Sequence, residues 1–181
     1  KYMRQSQIFG KTLREAPKDA EAISHIYLVR GGFVKQLSSG IFSFLPLGFK
    51  VLKKIEQVIR DELNKIGVQE MIMPIIHPAE IWKKTGRYDD IGKELWRLQS
   101  QTGQELVLSM THEESMAEIA SRYIENYNDL PLILNQFQIK LRNEARPRGG
   151  LLRLREFIMQ DAYSFDRSEA VRQTLQFRNR L

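Results

Sequence analysis

Between positions 142 and 155 the chain places five arginines, Arg142, Arg146, Arg148, Arg153 and Arg155, around a turn-forming stretch that contains Pro147, Gly149 and Gly150. A guanidinium is planar, stays charged, and offers paired donors to phosphate or carboxylate oxygens. Several of them on one ribbon suit a bent polyphosphate, where they would offset the charge that builds up during transfer at phosphorus. Glu144 can accept a hydrogen bond from the exocyclic amine of a base, and Phe157 offers a ring for that base to stack on. The same residues also fit a solvated basic strand with surface carboxylates, and side-chain chemistry alone leaves both readings open.

The elements that must position these groups can be read from hydrophobic period. Ile133, Phe137, Ile139 and Leu141 alternate with Gln136, Gln138, Lys140 and Arg142, which predicts a strand with one apolar and one polar face. Residues 146–150 turn the chain, and 152–161 can return as the second strand of a long hairpin. Period does not reveal register, so the facing side chains stay undetermined. Upstream, Val51, Leu52, Ile55, Val58, Ile59, Leu63 and Ile66 recur at three and four residues and predict a helix over 49–66. Gly67 stands at its C-cap, and a short strand over 68–73 is stopped by Pro74. Thr111-His112-Glu113-Glu114 has the pattern of a capping box, with Thr111 as N-cap and Glu114 reaching back, ahead of the apolar face Met116, Ile119, Ala120 and Tyr123. Residues 169–181 read as a further helix.

Composition narrows the class. The chain has 181 residues, 42% hydrophobic and 28% charged, enough for a packed core and unlike a disordered segment. A net charge of +6 favours polyanionic partners such as nucleotides or RNA. With no cysteine, disulfides and thiolate metal sites are excluded, and His25, His77 and His112 lie too far apart in sequence to suggest a protein-held zinc. No apolar run reaches membrane-span length and the start lacks a signal-peptide pattern, so a cytoplasmic protein with no membrane association is expected.

The order of residues is more specific than the charge count. Arg142-Asn143-Glu144, the Arg-Pro-Arg turn, Arg153-Leu154-Arg155-Glu156-Phe157 and Asp161-Ala162-Tyr163-Ser164-Phe165 resemble motif 2 of the prolyl-tRNA synthetases, class II aminoacyl-tRNA synthetases of bacterial type. The stretch from Ser24-His25 to Pro46-Leu47-Gly48, the helix ending at Gly67, and Met73-Pro74 are similar to the family's N-terminal region and motif 1. Pro78-Ala79-Glu80-Ile81-Trp82, Thr85-Gly86-Arg87 and the Thr-His-Glu-Glu start extend the resemblance, which covers roughly residues 1–165.

That resemblance implies an α+β fold, an antiparallel sheet flanked by helices, as a partial class II catalytic domain. It implies ATP-dependent activation of proline to prolyl-adenylate and transfer to tRNA(Pro). Arg142 would bridge the α-phosphate and the amino-acid carboxylate as the catalytic residue. Glu144 would read the adenine amine, Arg153 would hold phosphates and Phe157 would stack on adenine. Thr111 and Glu113 match the family's proline-binding Thr-x-Glu loop, with Glu113 facing the substrate ammonium; Thr111 as a plain helix cap is the competing reading. Magnesium would arrive with ATP, and the motif 1 helix would make a homodimer interface. Trp82 and Arg87 fit packing as well as substrate contact, and His112 is given no catalytic role.

The sequence departs from the family pattern in three places. Gly149-Gly150 replaces a larger residue before the second glycine and predicts a mobile loop. The likeness fades over 166–181. Motif 3, with its phosphate-gripping arginine, is not recognisable, nor are editing and anticodon-binding domains, so the chain reads as the N-terminal part of a catalytic domain. A noncatalytic synthetase-like module that binds nucleotide, RNA or a partner protein is the alternative, and a generic basic RNA-binding fold is a third.

Overall fold

The computed structural model describes residues 4–15, 17, 20 and 22–168, which divide into two compact units. One holds the chain up to residue 61 together with 141–157; the other holds 62–140 and the described chain from 158 onward. The helix expected over 169–181 lies outside the described residues, and 166–168 are not helical.

The first unit begins with α1 (Ile23–Arg30) and an antiparallel hairpin of β1 (Val34–Ser38) and β2 (Ile41–Phe44), in which Val34 faces Phe44 and Gln36 faces Phe42. Helix α2 (Pro46–Lys65) follows. It starts three residues before the apolar period does, because proline is suited to the first helical turn, where its missing N–H has no partner to lose. The backbone N–H of Leu45 donates to Phe33 O at 2.9 Å, and Gly48 lets the helix approach so closely that a Cβ there would lie 2.1 Å from Phe33 O. Gly67, at φ 75°, ends the helix in the left-handed conformation expected of its C-cap.

The apolar stripe of α2 is only partly covered: Leu52, Ile59 and Leu63 are half-buried, while other members stay exposed. Val51, Ile55 and Val58 are 44%, 53% and 64% exposed, while the residues that α2 buries are Gly48 and Glu56. Lys53 pairs with the buried Glu56 at 2.6 Å.

The second unit contains β3 (Gln69–Glu70), β4 (Ile76–Pro78), α3 (Ala79–Lys84), α4 (Arg87–Asp90), β5 (Arg97–Gln99), β6 (Glu105–Leu108) and α5 (Glu113–Tyr123). Two long strands follow, β7 (Leu132–Leu141) and β8 (Glu156–Phe165), each with one end in the first unit. The sheet order β4-β6-β5 is antiparallel throughout, whereas in the order β3-β7-β8 the short β3 runs parallel to β7. An α+β fold is thus observed, with one parallel pairing beside its antiparallel ones. Ala79, Trp82, Leu95 and Val107 form a buried cluster under Tyr88 and Ile91, which places Trp82 in the core.

Strand β8 starts at Glu156, four residues later than its apolar pattern suggests. Residues 149–152 are spent in the turn, which closes on a bridge between Arg148 and Arg153. Strand β7 has the expected alternation, but its polar side is the buried one: Gln136 and Lys140 have no exposed surface. Burial of such groups is tolerated only when they are hydrogen-bonded, and their partners lie on other elements of this unit.

Candidate functional site

In the first unit, Arg142 continues from the end of β7, and its backbone N–H donates to Arg155 O at 2.8 Å. Its guanidinium lies 5.2 Å from the centroid of the Phe157 ring, a cation–π distance, and its Nε is buried with no hydrogen-bond partner. Glu144 turns back on the hairpin. One carboxylate oxygen accepts from Arg146 N at 2.9 Å and the other from Arg153 Nε at 2.6 Å. The Arg146 N–H, and after it the Arg153 guanidinium, hold the Glu144 carboxyl below its ordinary range. The four residues singled out from the sequence thus form two side-chain pairs, Arg142 with Phe157 and Glu144 with Arg153, joined through the backbone, where Glu144 N donates to Arg142 O at 2.7 Å.

The β1–β2 hairpin supports this group. Arg155 donates from Nε to Glu144 O at 3.0 Å and from Nη1 to Ser39 O at 3.1 Å, and its backbone N–H reaches Gly40 O at 2.9 Å. Gly149 and Gly150 adopt φ 69° and 65°, and Gly150 is buried so close to His25 that a Cβ would meet that ring at 2.7 Å. The paired glycines thus make a packed turn, the close approach being the physical reason a side chain is missing there. An open cavity of about 830 Å³ has His25, Arg148 and Arg153 on its wall, but not Arg142, Glu144 or Phe157.

In the second unit, Thr111 and Glu113 flank the start of α5. The capping box does not form: the N-cap position falls to His112, without a side-chain bond, and Thr111 Oγ accepts only a long 3.4 Å bond from Glu113 N. The second box residue is engaged elsewhere: Glu114 is buried 2.9 Å from Arg87 Nη1. Burial raises the Glu114 carboxyl above its ordinary range, against the pull of Arg87. The same Arg87 nitrogen donates to Glu113, so Arg87 spans both acids while its guanidinium lies 5.8 Å from the Trp82 ring.

Behind this loop runs a buried polar chain that sequence reasoning missed. Trp82 Nε1 donates to His77 Nδ1 at 3.2 Å, and His77 Nε2 meets Pro74 O at 2.9 Å. His112 Nε2 meets the same carbonyl at 3.1 Å, and its Nδ1 faces Lys140 Nζ. Indole N–H and ammonium only donate, and a carbonyl only accepts, so both histidines are neutral with the proton on Nε2. Burial lowers the ordinary value of His77, and burial followed by the Lys140 charge lowers that of His112 to about 4. Lys140 pairs with Asp161 at 2.8 Å, and Asp161 also accepts from Gln136 at 3.2 Å and from Tyr163. Only the polar alternation on β7 hinted at this; the partners of its Gln136 and Lys140 lie 21 or more residues away in sequence, beyond any local period.

Comparisons with known proteins agree with the motif order. The tRNA synthetase class II core domain (G, H, P, S and T) matches residues 96–177. Over 164 residues the chain is 55% identical to the proline–tRNA ligase of Thermodesulfovibrio yellowstonii, covering 91% of this chain and 29% of that protein. It is 53% identical over 166 residues to the proline–tRNA ligase of Dehalococcoides mccartyi strain CBDB1, covering 92% of this chain and again 29% of the relative. The chain thus spans less than a third of the length of these relatives. A crystal structure of a prolyl-tRNA synthetase from Cryptosporidium parvum, complexed with L-proline and AMP, superposes with a TM-score of 0.72 over 82% of this chain and 30% of that one; at 18% identity this similarity speaks to the fold.

Proposed function

Because this chain belongs to the class II tRNA synthetases of the proline–tRNA ligase type, we propose that it supplies the ATP-gripping and proline-gripping groups of a prolyl-tRNA synthetase. In the proposed reaction the proline carboxylate attacks the α-phosphorus of ATP. A carboxylate–phosphorus bond forms, the bond to the bridging oxygen breaks, and pyrophosphate leaves with that electron pair. The attacking carboxylate is already ionised, so no general base is needed. A hydroxyl of the terminal adenosine of tRNA(Pro) then attacks the prolyl carbonyl, an ester bond forms, and the acyl–phosphate bond breaks with AMP leaving and the hydroxyl proton released.

The observation that carries this reading is the placement of Arg142 against Phe157 with a buried, unpartnered Nε. A donor buried without a partner is costly and marks a place where an acceptor is missing. In the proposal Arg142 meets the α-phosphate and the substrate carboxylate, and adenine stacks on Phe157. Glu144 takes the adenine amine and Arg153 the outer phosphates, exchanging part of the bond they share. Thr111 and Glu113 receive the ammonium of proline. Magnesium is carried by the triphosphate, whose oxygens are the donors it prefers. We assign residues 1–165 to the N-terminal region and motifs 1 and 2, with a cytoplasmic location. The exposed Val51, Ile55 and Val58 face of α2 is assigned to a homodimer.

Proline-dependent ATP–pyrophosphate exchange by this chain tests the reading. Exchange above an Arg142→Ala control is the expected result, and Arg142→Lys should not restore it, because a single ammonium lacks the bidentate fork. Exchange equal to the control, with no ATP binding by calorimetry, would refute it. ATP binding without exchange would favour the noncatalytic module.

A further inference from the structure

Arg155 belongs to the same run of arginines as Arg142 but is used in the opposite way. Arg142 keeps a buried Nε with no hydrogen-bond partner, whereas the Arg155 guanidinium is engaged by backbone carbonyls. Its Nε donates to Glu144 O at 3.0 Å and its Nη1 to Ser39 O at 3.1 Å. The Arg155 backbone makes two further bonds, from its N–H to Gly40 O at 2.9 Å and from Arg142 N–H to its carbonyl at 2.8 Å. One half-buried residue therefore ties together three segments: residues 142–144, the chain entering β8, and the tip of the β1–β2 hairpin. That tip is closely seated, since a Cβ on Gly40 would lie 2.7 Å from Pro147 and 3.2 Å from Arg155 N.

The 142–144 stretch needs such a tie. Just past the end of β7, the bond from Glu144 N to Arg142 O at 2.7 Å closes a three-residue turn. A turn this small has one internal bond, and the Glu144 carbonyl takes its partner from outside the turn, in Arg155. The Glu144 carboxylate is set by Arg146 N and Arg153 Nε, but the backbone that carries it is set by Arg155. A recognition group has to be held within about 0.5 Å of its working position before the ligand arrives, so both holds count.

We propose that Arg155 is a positioning residue for nucleotide selection: its fork fixes the Glu144 backbone against the Ser39–Gly40 tip, so that the Glu144 carboxylate is in place for the exocyclic amine of adenine, and Arg155 itself grips no phosphate. That Glu144 takes the adenine amine rests on the proposed function; the hold of Arg155 on the 142–144 turn does not. Lysine cannot replace it, because an ammonium lacks the planar fork that spans two carbonyls.

Two measurements separate these layers. Amide hydrogen exchange, followed by NMR on the nucleotide-free chain, reports on the turn itself. The Glu144 N–H should exchange about 2- to 10-fold faster in Arg155→Met, the worth of one hydrogen bond, with the amides of α2 unchanged. An unchanged rate at Glu144 would overturn the inference whatever the nucleotides do. ATP and ITP, which has an oxygen where adenine has its amine, are then titrated calorimetrically with magnesium present. The unaltered chain should prefer ATP, and Arg155→Met should weaken ATP by about 2- to 10-fold and ITP much less, so that the preference shrinks. In a Glu144→Ala background the same substitution should leave the ATP-to-ITP ratio where Glu144→Ala put it. Equal losses for both nucleotides would mean that Arg155 acts on general packing, and full affinity in Arg155→Lys would mean that its charge acts and not its fork; either overturns the inference. If Arg155→Met fails to fold, Arg155→Lys carries both measurements with the same expected losses. An unaltered chain that binds neither nucleotide, or both equally, overturns the adenine reading of the proposed function and the selection role with it. A preference for ATP that survives intact in the Arg155 variant overturns the role of Arg155 alone.

Discussion

Lys140 Nζ lies 2.8 Å from Asp161 Oδ1, where the lysine side chain has no contact with solvent and the aspartate has 14% exposure. Removing one partner of such a pair leaves the other charge buried and uncompensated, which costs about 3–5 kcal/mol. Lys140→Met and Asp161→Leu should each lower stability by that order in urea unfolding. The double variant should lose clearly less than the sum, because no lone charge remains. Additive losses would mean that the pair is not coupled.

His112 predicts an acid-sensitive fold. Its value is lowered from an ordinary 6.5 to about 4, chiefly by burial, then by Lys140 and His77, with Asp161 and the Pro74 carbonyl opposing. The unfolded chain therefore binds the extra proton first as pH falls. The contribution is fully present above about pH 6.5 and is lost as pH drops through about 4. Urea unfolding should show a decline on the order of 1–2 kcal/mol between pH 7 and pH 5 that is much reduced in His112→Gln. A His112 imidazole that titrates near 6.5 by NMR would contradict the geometry.

Gly150→Ala should weaken the hairpin turn. The new Cβ would meet His25 at 2.7 Å and the backbone would remain at φ 65°, a conformation that L side chains rarely adopt. A loss of about 1–3 kcal/mol in thermal or urea unfolding is expected. His25→Ala in the same chain should return the part due to contact and not the part due to the dihedral angle.

Val58→Asp tests the exposed face of α2. On a free helix surface, a substitution at a residue 64% exposed should change stability by less than about 0.5 kcal/mol. If the face joins two copies, sedimentation should show the unaltered chain as a dimer and the variant as a monomer. A monomeric unaltered chain would remove the dimer assignment.

How much was legible beforehand follows from the range of each interaction. The α2 helix, its Gly67 cap, strand β7 and the hairpin turn depend on neighbours within a few residues, so period and turn chemistry predicted them. Residue order across 142–165 was enough to identify the synthetase family. Arg142, Glu144, Arg153 and Phe157 could be picked out together because one hairpin carries them. The sequence by itself therefore determined the family resemblance, the local elements and the residues to which the proposed chemistry is given. Only the tertiary structure decided how the ambiguous residues are used. Thr111 could have capped α5, but the N-cap position falls to His112, and Glu114, which would have closed the box, is buried against Arg87. The polar face of β7 could have met water but is buried, and the apolar face of α2 could have been covered throughout but leaves Val51, Ile55 and Val58 exposed. Burial depends on which distant surfaces meet, and no local period encodes that.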